Sequence, residues 1–267
     1  MRSVLLAWFT FFAVTGCHRD TPPSPSPTSP SVKAEKEAPS VIRTTADEIA
    51  DEFAADSAKA NSKYARPGTV VELRGDVAFL ETRNGHGLAR YHRVYLVTKR
   101  DQLGPQVYVS APVGGEGGAV LKTARTGQKI LAKEVMVQFI NRGSAELNEV
   151  EINPKNVDLQ GPPTAPIEIS SPGKLLEEIA ADPVAAAPKY LHKPVVFSGR
   201  TKSVFPGLGV LTFDGMNFKD TTCVITDDQD ERFKALQGGD TVNLQGVVTR
   251  IGDGTVGLRG CKLLDVR

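Results

Sequence analysis

Hydrophobic positions along this chain change period in the same order twice. Thr45-Ala46-Asp47-Glu48 has the form of a capping box, and Ile49, Ala50 and Phe53 behind it share one helix face. Asp56 caps a second short helix that ends at Lys63-Tyr64. From Val70 the period drops to two: Val71, Leu73, Val77 and Phe79 alternate with Glu72, Arg74 and Asp76, a half-buried strand bent at Gly75. The order then repeats. Ser171 and Pro172 open a helix with Leu175, Leu176 and Ile179 on its apolar face. Asp182-Pro183 restarts a short helix that Pro188 stops, Lys189-Tyr190 follows, and Val195 to Phe205 is a strand broken at Gly199. A unit this long, present twice, predicts two copies of one domain rather than a solenoid.

Further strands are predicted in the first copy at Tyr91–Thr98, Gln106–Ser110, Ala119–Thr123, Lys129–Ile140 and Leu147–Leu159. The second copy has Gly209–Phe213, Thr221–Thr226, a short helix over Asp230–Leu236, then Thr241–Ile251 and a last strand through Leu258, Cys261 and Leu263. The run Gly114-Gly115-Glu116-Gly117-Gly118 reads as a flexible loop tip. It lacks the Gly-Lys-Ser/Thr and the following helix of a phosphate loop. Gly252-Asp253-Gly254-Thr255-Val256-Gly257 spells a dinucleotide fingerprint but leads into a strand, so it reads as a hairpin turn.

Five strands with a short helix between the third and fourth is the order of an OB-fold, a small Greek-key barrel. The predicted fold class is mainly β: two OB-fold-like five-stranded barrels, each preceded by a short amphipathic helical segment. The predicted domains are residues 44–160 and 170–267, joined by the Gly/Pro-rich linker 161–169. The Lys-Tyr after an amphipathic helix, the bent strand, Cys223-Val224-Ile225, Gly239-Asp240-Thr241-Val242 and Cys261-Lys262-Leu263 resemble the tRNA_anti-like family of OB-folds. The resemblance covers 170–267 closely and 44–160 loosely. It implies a fold related to anticodon-binding domains, in a family often found among bacterial lipoproteins, and does not itself imply tRNA binding.

The N-terminus is an address. Arg2 and the apolar run Val4–Val14 have the form of a secretory signal, too short to span a bilayer. Val14-Thr15-Gly16-Cys17 resembles a bacterial lipobox, which makes residues 1–17 a lipoprotein signal peptide and Cys17 the acylated (palmitate-bearing) residue of the mature chain. Residues 18–43, with the tract Thr21-Pro22-Pro23-Ser24-Pro25-Ser26-Pro27, read as a disordered Pro/Ser linker. These features predict a cell-envelope protein held on a membrane by its N-terminal lipid and facing the periplasm or exterior. His18, where an aspartate would favour inner-membrane retention, points to the outer membrane.

Charge and chemistry narrow the rest. Lys plus Arg is 32 and Asp plus Glu 31, which removes the basic excess of a dedicated nucleic-acid binder. The exception is Arg83–Arg100, with several cations and no acid. By alternation Tyr91, Arg93 and Tyr95 share one strand face and Arg90 and His92 the other; with Lys99 and Arg100 they form a candidate ligand face for base or sugar stacking and phosphate pairing. The bland alternative is a solvated hairpin with one core tyrosine. Cys223 and Cys261 fall on strands adjacent in an OB barrel; a disulfide and two buried thiols are both open. No CxxC, metal-spaced histidine, nucleophile elbow or phosphate loop is present, so no metal, cofactor or enzymatic activity is expected. The expected function is a lipid-anchored, non-catalytic envelope binding or assembly module with a protein or glycan partner. The alternative is a single-stranded nucleic-acid or polyanion binder using the basic, aromatic strand; nucleic acid is the less expected partner.

Overall fold

The computed structural model describes residues 40–66, 69–84, 89–99, 105–143, 148–214, 220–227, 230–252 and 255–266. The leader, Cys17, the linker up to residue 39 and Arg100 lie outside them. The expected architecture is the one adopted: a mainly β chain of two OB-type barrels, each with a helical segment in front.

The first copy begins with β1 (Ser40–Thr45), parallel to the following long strand. This corrects the expected linker, whose last residues are strand; Val41, Ile42, Thr44 and Thr45 are the β-branched residues that favour it. Thr45 then caps α1 (Ala46–Ala55) in a full capping box with Glu48, and the Asp56 carboxylate caps α2 (Ser57–Tyr64) by accepting from the Lys59 amide at 2.9 Å. The barrel follows as β2 (Thr69–Asn84), β3 (Arg90–Leu96), β4 (Gln106–Pro112), α3 (Glu116–Leu121), β5 (Lys129–Ile140) and β6 (Glu149–Gln160). The strands run β2-β3-β4-β6-β5 and close by β5 on β2, with only the β4–β6 pair parallel.

The second copy repeats this. β7 (Ile167–Glu168) lies parallel to the long strand, inside the stretch expected as a plain linker. Then come α4 (Pro172–Ala181), α5 (Pro183–Tyr190), β8 (Pro194–Phe205), β9 (Val210–Asp214), β10 (Asp220–Ile225), α6 (Glu231–Ala235), β11 (Thr241–Gly252) and β12 (Thr255–Val266). The order is β8-β9-β10-β12-β11, closed by β11 on β8. Each barrel has its own core, one built on Ile49, Phe53, Leu73, Leu121 and Ile152, the other on Leu175, Tyr190, Phe213, Phe233 and Leu258.

The repeated Asp…Lys-Tyr stretch is a packing device. Lys63 pairs with Glu52, and Lys189 with Glu178, both at 2.6 Å, while each ammonium rests over its neighbouring tyrosine ring. The Tyr190 hydroxyl donates to Glu178 at 2.5 Å. These contacts fold each helix pair on itself and seat its tyrosine in the core.

Three further expectations are corrected. Residues 116–121 form α3, so Ala119–Thr123 is not a strand. Glu116-Gly117-Gly118, expected in a loop tip with no helix after it, open that helix. Gly118 inside this helix serves close approach: a Cβ on it would lie 2.0 Å from the Pro112 carbonyl oxygen. A short helix in this position is what the second barrel has in α6. α5 runs through Pro188, the expected stop, to Tyr190.

Candidate binding faces of the two barrels

The outer surface of the first three barrel strands, with the adjoining loops, is where OB barrels take their ligands. In the first barrel, Val94, Leu96, Val107, Val109, Val150 and Ile152 point inward. Phe79 and Glu81 on β2, Arg93 and Tyr95 on β3, and Tyr108 and Ser110 on β4 therefore point outward. They form two rows across the sheet. Phe79, Tyr95 and Tyr108 pair in one; Glu81, Arg93 and Ser110 pair in the next. In the aromatic row Phe79 and Tyr95 stack with centroids 4.6 Å apart, and Tyr108 lies tilted against Tyr95 at 5.1 Å.

This face is already filled by the second barrel. Arg259 on β12 lies over the Phe79 and Tyr95 rings at 4.9 and 4.6 Å. Its Nε and Nη2 donate to the two Glu81 oxygens at 3.0 and 3.1 Å, and Nη1 donates to Gln106 at 2.8 Å. Arg83 supplies a second cation to Glu81. Val247 on β11 packs into the aromatic row with Ala78. At the end of the face the Thr82 amide donates to the Thr226 carbonyl, and Arg90 pairs with Asp227. Burial, the largest single influence, pulls the Arg259 pKa down, but the charge and hydrogen bonds of Glu81 together with Tyr95 outweigh it and the net shift is upward. Burial likewise raises the phenols of Tyr95 and Tyr108.

The expected ligand residues do not form one open face. Tyr95 is 4% exposed and lies beneath Arg259, so it is no stacking platform. Arg93 lays its guanidinium over the Tyr108 ring at 5.1 Å, and Arg90 is spent on Asp227. Tyr91 is half-buried beside Arg83 and Pro112. Lys99 turns away to α1, its amide donating to Asp47 at 2.7 Å. His92 points inward, Nδ1 3.0 Å from the Thr82 hydroxyl; burial, then Lys122 and Arg90, depress its pKa against the pull of Asp227. The decisive residues, Phe79, Glu81, Tyr108 and Arg259, carry no mutual signal in the sequence.

The second barrel's corresponding face is different. Leu211, Phe213, Cys223 and Ile225 point inward, and a disulfide joins Cys223 to Cys261 inside the barrel, Cα atoms 6.2 Å apart. Outward are Ser203 and Phe205 on β8, Val210 and Thr212 on β9, and Thr222 and Val224 on β10. Phe205, Val210 and Val224 form one row; Ser203, Thr212 and Thr222 form the other. Neither row carries a charge. Phe205 is 45% exposed, and Leu208 beside it 70%. Among the described residues no cluster of His, Cys, Asp or Glu could hold a metal ion, and no helix is long and apolar enough to cross a membrane.

No family model and no curated protein matches the chain. Solved structures similar to it include a lipoprotein of Klebsiella pneumoniae named as a candidate nucleic-acid binder (14% identity, 45% of this chain and 92% of that one, TM-score 0.31). Another is the single-stranded DNA binding protein of Thermus aquaticus (13%, 74% and 90%, TM-score 0.23). A third is a replication factor A related protein of Methanobacterium thermoautotrophicum (17%, 38% and 88%, TM-score 0.26). Likeness at this level identifies no ligand for this chain.

Proposed function

We propose that the chain is a lipid-anchored, non-catalytic binding and assembly module of the cell envelope, and that a protein partner engages the outward face of the second barrel. One observation carries this reading. The first barrel's ligand face is filled by Arg259 and Val247, whereas none of the described residues covers the second barrel's two uncharged rows, which are edged by Phe205 and Leu208 at one end and by the Lys202–Asp220 pair at the other. An uncharged surface of small and apolar side chains suits a protein surface better than a phosphate backbone, whose affinity comes from cations. The anchor is Cys17 with its lipobox, and residues 18–39 set the reach.

The nucleic-acid reading loses its platform, because Tyr95 is buried and Arg90 is paired. The test is a photo-crosslinking residue at position 205 in growing cells, with position 174 on the exposed side of α4 as control. Discrete protease-sensitive adducts at 205 alone support the proposal. Adducts that resist protease and yield to a glycan hydrolase assign a glycan; no adduct at 205 overturns the proposal.

A further inference from the structure

We infer that this chain associates head to tail with further copies of itself, the open face of the second barrel receiving the β5–β6 surface of the next molecule's first barrel. The inference rests on the reading of that face as a binding surface and names its partner.

The argument starts from the contact inside the chain. There, the face of barrel one receives the β11–β12 surface of barrel two. The same fold occurs twice, so each surface has a counterpart, and strand register identifies it. The long strands are bent at Gly75 and Gly199, and each shifts register at the same later point, between Val77 and Phe79 and between Thr201 and Ser203. The receiving residues Phe79 and Glu81 thus correspond to Ser203 and Phe205. Pairing carries this across the sheet: Tyr95 and Tyr108 correspond to Thr212 and Thr222.

The inserting surface corresponds as well. Val247 is paired with Arg259 on the outside of barrel two. In barrel one Glu134 takes a left-handed conformation, φ +50°, and from there the inward positions switch from Ile130 and Ala132 to Val135 and Val137, which leaves Met136 outward with the β5–β6 register unbroken. Tyr108 pairs with Glu151 and its counterpart Thr222 with Gly257, so Asn153 stands where Arg259 stands, and Met136, paired with Asn153, stands where Val247 stands. After the third strand, Asp227 has Val113 as its counterpart, and Arg90 and Tyr91 have Gly207 and Leu208.

The substitutions are matched in pairs. Where barrel one receives with large aromatics, the inserted residue is the small Val247. Where barrel two receives with Ser203, Thr212 and Thr222, the inserted residue is the longer Met136. The charged pair Glu81–Arg259 is replaced by the uncharged Phe205 and Asn153, and Arg90–Asp227 by Gly207 and Val113, with Leu208 where Tyr91 stands. At these positions both sides are uncharged, with the Glu134–Lys155 pair and Glu151 flanking Met136 and the Lys202–Asp220 pair flanking Thr222, and both sides leave apolar groups in water: Met136 is 64% exposed and Val113 40% on one, Phe205 45% and Leu208 70% on the other. Exposed apolar groups that complement one another in this way mark an interface. Because the two surfaces differ, the contact is heterologous and propagates as a ring or filament rather than stopping at a symmetric dimer.

The test uses the full chain with Cys17→Ser, which removes the lipid, in sedimentation velocity over a concentration series. Mass should rise beyond a dimer with concentration. Phe205→Asp and Met136→Asp should each give monomer, with unchanged near-UV circular dichroism showing that the barrels remain folded. A mixture of the two variants has one working surface of each kind and should stop at a heterodimer. Monomer at all concentrations overturns the inference, as does a dimer indifferent to Met136→Asp. In either case, adducts at position 205 to a different protein would leave the binding reading standing.

Discussion

Arg259 and Glu81, 178 residues apart, meet in a two-pronged ion pair that joins the two barrels, with the carboxylate only 1% exposed. The guanidinium also covers two aromatic rings, so it combines charge, hydrogen bonding and stacking in one side chain. Removing either partner of a buried pair leaves the other uncompensated. Arg259→Met should therefore cost about 3 kcal/mol in denaturant unfolding. Glu81→Gln with Arg259→Met should cost less than the two single changes added. Strict additivity would show that the pair does not couple the barrels.

Gly260 follows Arg259 with φ +59°, and a Cβ there would lie 2.8 Å from the Phe79 Cβ. Gly260→Ala thus meets both backbone strain and a clash across the barrel contact. A loss of about 1–3 kcal/mol is expected. Thermal unfolding of this variant should separate into two steps as the barrels uncouple. A single unshifted transition would contradict the role given to this contact.

His92 makes stability depend on pH. Its folded pKa is depressed, chiefly by burial, so protons bind the unfolded chain more readily between the folded value and about 6.5. The contribution of neutral His92 is complete above that upper limit and is lost as pH falls through the folded pKa. Unfolding free energies at pH 7.5 and 5.5 should differ less in His92→Gln, which retains a side-chain partner for Thr82, than in the wild type. Equal differences would remove His92 from this account.

Binding of a labelled single-stranded oligonucleotide gives a check on the basic strand. With Tyr95 covered and Arg90 paired, Arg93→Ala should leave both affinity and salt slope unchanged. A slope reduced by about one unit would mean that Arg93 contacts phosphate, and the second barrel's occupancy of this face would have to be reversible.

Much of this fold was legible because it is written locally. Thr45, Asp56, Ser171 and Asp182 announce their helices by side-chain caps, and the long strands announce themselves by alternation about a central glycine. The misreadings have equally local causes. Ala119–Thr123 contains the β-branched Val120 and Thr123, but the segment is helical, with Gly118 seated close on β4. β1 was hidden by the Pro/Ser tract before it, although its own residues favour a strand. The candidate face was half legible: alternation put Tyr91, Arg93 and Tyr95 together, but what covers Tyr95 is an arginine in another domain. No periodicity links Glu81 to Arg259, because their meeting is a property of how two finished barrels dock.

The Cys223–Cys261 bridge ties β10 to β12 only two residues beyond Arg259, so the strand that reaches the first barrel is covalently pinned. A disulfide of this kind contributes about 2–4 kcal/mol, and Cys223→Ala with Cys261→Ala should lower stability by that amount in chemical denaturation. In a reduced chain Arg259 rides on an unpinned strand. The redox state of two cysteines inside one barrel therefore reaches the contact between both: with the bridge formed the strand that carries Arg259 is fixed covalently, and with it reduced that strand is held by its hydrogen bonds alone.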